Sequence, residues 1–236
     1  MKVFLITGAA SGLGWAMAQH WFQAGHHVAL VDRNAELLVQ RHSELGQSDR
    51  ITTIVADITQ TKDQENIIRQ TQHHFGRLDV LVNNAGITHR SPAHLTDPEV
   101  FRQVMSVDWQ APVELTLLAL PLLEQSHGQI VNIGSMAGWM PVPGRAAYGA
   151  AKSALTQFFE VLRLELQAKQ IHILMVYPGF IDTPIEQNAL GADGEKAGHA
   201  RSTIGKMVSA ETMAFQIDQA LTQKKSWLFP EPISRL

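Results

Sequence analysis

The chain has no cysteine in 236 residues, which excludes disulfides, thiolate metal sites and cysteine nucleophiles and leaves nothing about compartment to be read from thiols. It lacks a long hydrophobic run. Its most apolar later segment, Ala111 to Leu123, is interrupted by Glu114 and Pro121 and falls short of the roughly twenty residues a spanning helix needs. It also lacks a dominant charge. A formal charge of -3 and a pI near 6.4, with both signs interspersed, give no electrostatic case for nucleic acid or an anionic membrane. The eleven histidines include no His-Glu-x-x-His spacing, so no metal is expected. The apolar start from Met1 to Ala18 reads as mature structure and not as a signal peptide, because Gly8, Gly12 and Gly14 interrupt it. The expectation is a cytoplasmic protein whose partners are small molecules and copies of itself.

What is present is 45% hydrophobic residues, enough for one sizeable core, and residues 1–236 are read as a single domain. Short β-branched or leucine-rich runs recur at Val3 to Thr7, His27 to Val31, Ile51 to Val55, Val80 to Asn83, Gln129 to Ile133 and Ile171 to Tyr177. Between them, helices are predicted at Leu13 to Ala24, Ala35 to Leu45, Lys62 to His74, Pro98 to Leu123 and Tyr148 to Ala168, with Gly25, Gly46, Gly76 and Gly128 at four of the ends. Strands alternating with helices predict a parallel, doubly wound sheet of Rossmann type in a three-layer α/β/α arrangement. The Gly- and Ala-rich stretch from Gly191 to Gly205 suggests a mobile lid over a substrate, spanning roughly residues 184–206.

The loop Thr7-Gly8-Ala9-Ala10-Ser11-Gly12-Leu13-Gly14 follows the first strand and opens the first helix, where glycines let the backbone approach a pyrophosphate. Asp32 ends the second strand, eighteen residues past Gly14, where a carboxylate can accept hydrogen bonds from ribose hydroxyls. It would repel a 2′-phosphate, and Ser11 offers no compensating cation, so NAD(H) is favoured. Arg33 leaves NADP(H) open. Asn83-Asn84-Ala85-Gly86 follows the fourth strand, Ser135 the fifth, and Tyr148 and Lys152 share a helix face at i and i+4.

These motifs, in this order and extending to Pro178-Gly179-x-x-x-Thr183, resemble the single-domain, tyrosine-dependent short-chain dehydrogenases/reductases over nearly the whole length. The resemblance implies strand order 3-2-1-4-5-6-7 and hydride exchange between a nicotinamide cofactor and an alcohol or carbonyl substrate. It makes Tyr148 the acid/base, Lys152 the group that lowers its pKa and holds the nicotinamide ribose, Ser135 the partner of the substrate oxygen, and Thr183 the partner of the carboxamide. Asp57 and Ile58 would meet the adenine, while Leu13, Asn84, Ala85, Gly86, Pro178, Gly179 and Ile181 would line the cofactor. A free phenol with a pKa of about 10 is a poor acid/base near neutrality. A cation about 4 Å away at an effective dielectric near 20 would stabilise its phenolate by about 4 kcal/mol, or about three pKa units, so Lys152 alone could suffice.

Relatives carry a catalytic Asn in a Val-Asn pair before the serine, where this chain has Val107-Asp108. A carboxylate facing Lys152 would cancel much of its effect. Asp108 could face away while its carbonyl keeps the family's role, be neutralised by burial, or slow the enzyme. The first is expected, since a carbonyl needs no particular side chain. His89, Arg90, His94, Trp139, Met140, Pro141 and residues Phe180 to Leu190 would surround an apolar or mid-sized substrate. Tetrameric relatives end near Val-Asp-Gly-Gly and this chain does not, as a truncated tail would explain. A homodimer or homotetramer through the two long helices is expected, using Phe158, Phe159, Leu162 and Leu166. Single features suggest two other functions. A serine hydrolase is set aside because Ile133-Gly134-Ser135 lacks the glycine two residues before the serine. A dinucleotide-binding regulator or redox sensor of little activity keeps Asp108 as its argument.

Overall fold

The computed structural model describes residues 1–46, 48–198 and 207–229. Six strands are built from the apolar runs: β1 Val3–Thr7, β2 His27–Asp32, β3 Ile51–Val55, β4 Val80–Asn83, β5 Gln129–Ile133 and β6 His172–Val176. A two-residue pair follows, β7 Ile181–Asp182 and β8 Val208–Ser209, and then β9 Trp227–Leu228. The main sheet has seven parallel strands in the order β3-β2-β1-β4-β5-β6-β9, the order the resemblance implies, with its last strand supplied by β9.

Side chains alternate across each strand, and here the alternation divides the core in two. Phe4, Ile6, Val28, Leu30, Val131 and Val176 face one way, onto Met17 and Trp21 of α1 (Gly12–Gln23), Leu38 of α2 (Ala35–Glu44) and Ile217 of the last helix. Leu5, Val31, Ile130, Ile173 and Met175 face the other way. They meet Ile67 of α3 (Thr61–Phe75) and the helices that follow β4 and β5. Because both faces are covered, the strands read as unbroken apolar runs in the sequence.

The expected long helix after β4 is instead three pieces: α4 Pro98–Met105, a π-turn Ser106–Gln110, and α5 Ala111–Ser126. The Ala111 N–H bonds the Ser106 carbonyl, five residues back. Pro112 stands four residues after Asp108 and has no N–H to give to the Asp108 carbonyl, so the α-helical ladder cannot be completed there. The helix ends on His127, not Gly128, in the left-handed region at φ 48°. Next come α6, Ala146–Glu165, and α7, Ala210–Thr222, a helix the periodicity did not resolve, capped by Ser209 accepting from the Thr212 N–H.

Phe159, Leu162 and Leu166 are buried in the chain's own core, so they are not the spare apolar surface expected for a partner. The exposed apolar positions on these helices are Leu117 and Leu118 of α5 and Val161 and Leu164 of α6. No described helix is long and apolar enough to cross a membrane. Residues 199–206 of the expected lid and the C-terminal residues 230–236 lie outside the described residues.

Candidate active site

Parallel strands deliver their following loops to one edge of the sheet, and the cofactor and catalytic residues expected from the sequence lie on strand ends and loops at that edge, on the first turn of α1, or on α6 and the π-turn packed beside them. After β1, Gly8 (φ 64°) and Gly12 (φ 54°) take up the left-handed conformation that only glycine adopts without cost. A side chain on Gly8 would come within 2.9 Å of the Ala85 Cα. One on Gly14 would come within 2.2 Å of the Gly8 carbonyl oxygen and 2.5 Å of Asn84 Nδ2. Asn84 holds the loop from beneath, donating to the carbonyls of Thr7 (2.9 Å) and Gly8 (3.2 Å), while Thr7 Oγ1 accepts the N–H groups of Asn84 and Ala85. Thr183 lies across from the loop, 3.2 Å from where a Gly12 Cβ would be.

Helix α1 begins beneath this loop with Ser11 at its cap, no side-chain cap hydrogen bond and no acidic residue in its first turn. Its positive end is left to an external anion. Asp32 at the end of β2 accepts the N–H of Ala10 (3.1 Å) and of Asn34 (3.0 Å), one on each oxygen, which fixes the carboxylate and leaves lone pairs for two hydroxyls. Arg33 is exposed. A second cation, Arg41, was not singled out in the sequence: Nε donates to the Ala10 carbonyl (2.9 Å), the guanidinium lies over the Trp15 ring, and Nη1 is paired with Glu44 at 2.9 Å. Its signal was faint, nine residues past Asp32 on a helix face turned to the loop. Asp57 accepts from the Thr59 N–H and hydroxyl within its own turn, next to the partly buried Ile58. The cleft has the close backbone approach, the open helix end and the fixed carboxylate that a dinucleotide requires. The residues present fit one.

Beyond β5, Ser135 caps a short turn, its Oγ accepting the Ala137 N–H at 3.1 Å, and its side chain pulls the nearby Tyr148 phenol down. Helix α6 sets Lys152 one turn beyond Tyr148, with Nζ 5.7 Å from the phenol ring centroid and donating to the Ile133 carbonyl at 3.0 Å. Pro178, buried after β6, holds this turn through its carbonyl and the Met136 N–H; Gly179 is exposed and Ile181 partly so.

Asp108 does not face away. Its side chain is fully buried, with Oδ1 accepting the Ile87 N–H at 2.8 Å and Oδ2 3.2 Å from Lys152 Nζ. The π-turn rotates it inward, and Gly86 leaves room: a Cβ there would sit 3.3 Å from the carboxylate and 3.6 Å from the ammonium. Burial pushes the Asp108 carboxyl up, ahead of the downward pull of Lys152 and the Ile87 N–H. Burial works to lower the Lys152 ammonium, but Asp108 and Tyr148 together hold it above the usual lysine range. The Tyr148 phenol is pushed up, first by burial and also by Asp108, against the opposing pull of Lys152, Ser135 and Arg145. Lys152 pulls the phenol down, as the spacing predicts, and burial and the carboxylate beside it act the other way.

The substrate side differs from the sequence reading too. His89 is buried against Phe101, with neither ring nitrogen hydrogen-bonded, and burial lowers its pKa. His94 is exposed on a short turn. Arg90 and Arg145, each largely buried, converge on Glu186 Oε2 at 2.9 and 2.6 Å, and Arg145 also donates to Thr88 Oγ1 at 2.6 Å. Arg145 and Glu186 as a pair were missed. Glu186 fell within the Phe180 to Leu190 stretch expected at the substrate, whereas the only signal for Arg145 was its place three residues before Tyr148. Trp139, Met140 and Val142 are exposed, with Trp139 edge-on to Tyr177 and Phe229. No cluster of three potential metal ligands occurs among the described residues.

A family model described as short chain dehydrogenase matches residues 2–193. Dehydrogenase/reductase SDR family member 7B of Bos taurus is 36% identical over 231 residues, which cover 94% of this chain and 71% of the bovine protein. The 11-beta-hydroxysteroid dehydrogenase 1A of Arabidopsis thaliana is 40% identical over 190 residues, 79% of this chain but 54% of the plant protein, so the chain spans about half of that relative. Among solved structures, a short-chain dehydrogenase from Streptomyces avermitilis superimposes with a TM-score of 0.84 at 29% identity, covering 96% of this chain and 87% of the other. A 3-ketoacyl-(acyl-carrier-protein) reductase from Brucella melitensis, complexed with NADH, gives 0.83 at 26% identity, with 95% and 92% covered. Motif order, sheet order and these matches converge, and the chain belongs to the short-chain dehydrogenase family.

Proposed function

We propose that the protein is an oxidoreductase that uses a nicotinamide dinucleotide, NAD(H) in preference to NADP(H), to interconvert an alcohol and a ketone or aldehyde, with Tyr148 as acid/base. The observation that carries this is the grouping of Ser135, Tyr148 and Lys152, with Lys152 locked on the Ile133 carbonyl one turn from Tyr148, beside a glycine loop shaped for a pyrophosphate. The names of the relatives, dehydrogenases and reductases, support the reaction class.

When bound, the nicotinamide would accept or donate the hydride. The protein's part is to hold and to protonate. The Gly8 to Gly14 backbone and the start of α1 would take the pyrophosphate, Asp32 the adenosine ribose, Asp57 and Ile58 the adenine edge, and residues Pro178 to Thr183 the carboxamide. Ser135 would orient the substrate oxygen, and Tyr148 would deliver a proton to it in reduction or take one in oxidation. Asp32 supports NAD(H), because a 2′-phosphate would press on a carboxylate already fixed by two backbone N–H groups, and Arg41 is committed to Glu44. The Lys152–Asp108 pair favours a second reading, a dinucleotide-binding sensor of low activity.

Titration of the purified protein with NADH and NADPH tests the cofactor. Tighter NADH is expected, and tighter NADPH would overturn the preference. Tyr148→Phe should lower turnover by about 10²–10⁴-fold with NADH affinity retained. Turnover by neither protein on an alcohol and ketone panel, with NADH still bound, would favour the sensor.

A further inference from the structure

We propose that Asp108 is the positioning residue that sets the pH range in which Tyr148 works: held by the Ile87 N–H, its carboxylate captures the Lys152 ammonium and removes part of that cation's hold on the phenolate. The inference rests on Tyr148 being the acid/base of the preceding section.

Several independent observations point to a carboxylate built into this position. Its side chain has no exposed surface, and that of Lys152 is 6% exposed, so the 3.2 Å contact is barely screened by solvent. A π-turn is maintained where Pro112 breaks the ladder, and it turns Asp108 toward the site. Gly86 leaves the space that the carboxylate and ammonium both border. A lysine in contact with a phenol alone would lend it its full charge. Here the same cation is shared between the phenol and a carboxylate that has one further donor, the Ile87 N–H.

Other groups around this centre are fixed. On Tyr148 these are the Ser135 side chain and the guanidinium of Arg145, the residue just before α6, itself paired with Glu186. On Lys152 it is the Ile133 carbonyl. His89 lies near Arg145, and burial and that cation lower its pKa. Asp108 is therefore the acidic group that the centre itself opposes to Lys152, and its removal should be felt at Tyr148. The direction of the Tyr148 shift, upward with Asp108 among its causes, agrees.

The chain's two tyrosines, Tyr148 and Tyr177, make the test direct. With 13Cζ-labelled tyrosine, the cofactor-free protein gives two resonances, assigned by their loss in Tyr148→Phe. In Asp108→Asn, which keeps an acceptor for the Ile87 N–H, the Tyr148 midpoint should fall by about 1–3 pH units, the size of shift a charge at such range produces. Circular dichroism at each pH verifies the fold, and Asp108→Ser carries the measurement if the amide is not accommodated. In alcohol oxidation, where Tyr148 acts as the base, the acid limb of the kcat/KM profile should move down by the same amount. An unchanged Tyr148 midpoint in the neutral variants would overturn the proposal. A shifted midpoint without turnover on any alcohol or ketone would uphold the role of Asp108 and sink the oxidoreductase reading instead.

Discussion

In the proposed reaction Tyr148 exchanges a proton with a substrate oxygen while packed among Ser135, Lys152 and the apolar residues around α4, and single atoms decide how easily it can. The positions of Ser135, Tyr148 and Lys152 were legible in the sequence because their spacing follows from a strand end and one helical turn. Asp108 was legible as a departure but not as a direction, since which way a side chain points depends on helix register, and the register changes at the π-turn. The phosphate loop offers a residue-scale test. Gly14→Ala would drive a methyl to 2.2 Å from the Gly8 carbonyl oxygen, so the loop or α1 must shift. Overpacking of this kind costs about 1–3 kcal/mol, a fall in Tm of roughly 2–12 °C for a chain of this size. Differential scanning calorimetry should show that fall, and NADH titration should show weaker binding; an unchanged loop affinity would mean Gly14 is not part of the cradle.

At the scale of elements, the segment after β7 is tied to the loop after β4. The N–H groups of Arg90, Asp97 and Leu190 bond the carbonyls of Leu190, Ala192 and Thr88, and Glu186 is held by two arginines from outside its own segment, Arg90 and Arg145. Composition alone predicted a mobile lid here, because Gly191, Gly194 and Gly198 suggest freedom and no motif announces that Arg90 and Arg145 converge on Glu186. In this structure the described part, up to residue 198, rests on the loop after β4 through these bonds. Replacing Glu186 with Gln keeps the shape and removes the charge. A charge-assisted hydrogen bond is worth about 1.5–3 kcal/mol, discounted here because Glu186 retains some exposure. Hydrogen exchange across residues 187–198 should accelerate by about tenfold, with protection of β1, β4 and β5 unchanged. Equal protection in both proteins would show that the backbone bonds alone hold the segment.

For the whole molecule, pH acts through histidines whose proton affinity folding lowers. Burial lowers the pKa of His89, His26 and His172, with nearby positive groups adding to it. A depressed histidine binds its proton more readily when unfolded. Its cost is absent above the unfolded pKa of about 6.5 and grows as pH falls below it toward the folded value. Tm should therefore be level above pH 7 and decline between pH 7 and 5. His89→Met, which replaces an imidazole lacking hydrogen bonds, should flatten part of that decline; an identical slope in the variant would assign the acid sensitivity elsewhere.

By itself the sequence determined the class of fold and the list of chemical groups, because strand and helix periodicities, glycine spacing and a four-residue Tyr-to-Lys interval are local and need only backbone geometry. The tertiary structure decided the electrostatics. Residues 21, 44 and 41 positions apart in the chain meet as Ile87 with Asp108, Asp108 with Lys152, and Arg145 with Glu186, and no local rule brings them together. It also decided that the apolar residues Phe159, Leu162 and Leu166 serve the chain's own core, since which face of a helix is covered depends on what the sheet presents to it. Charge acts through space, and burial sets its strength, so the working state of Tyr148 could be read only once Asp108, Lys152 and the surrounding core stood in place.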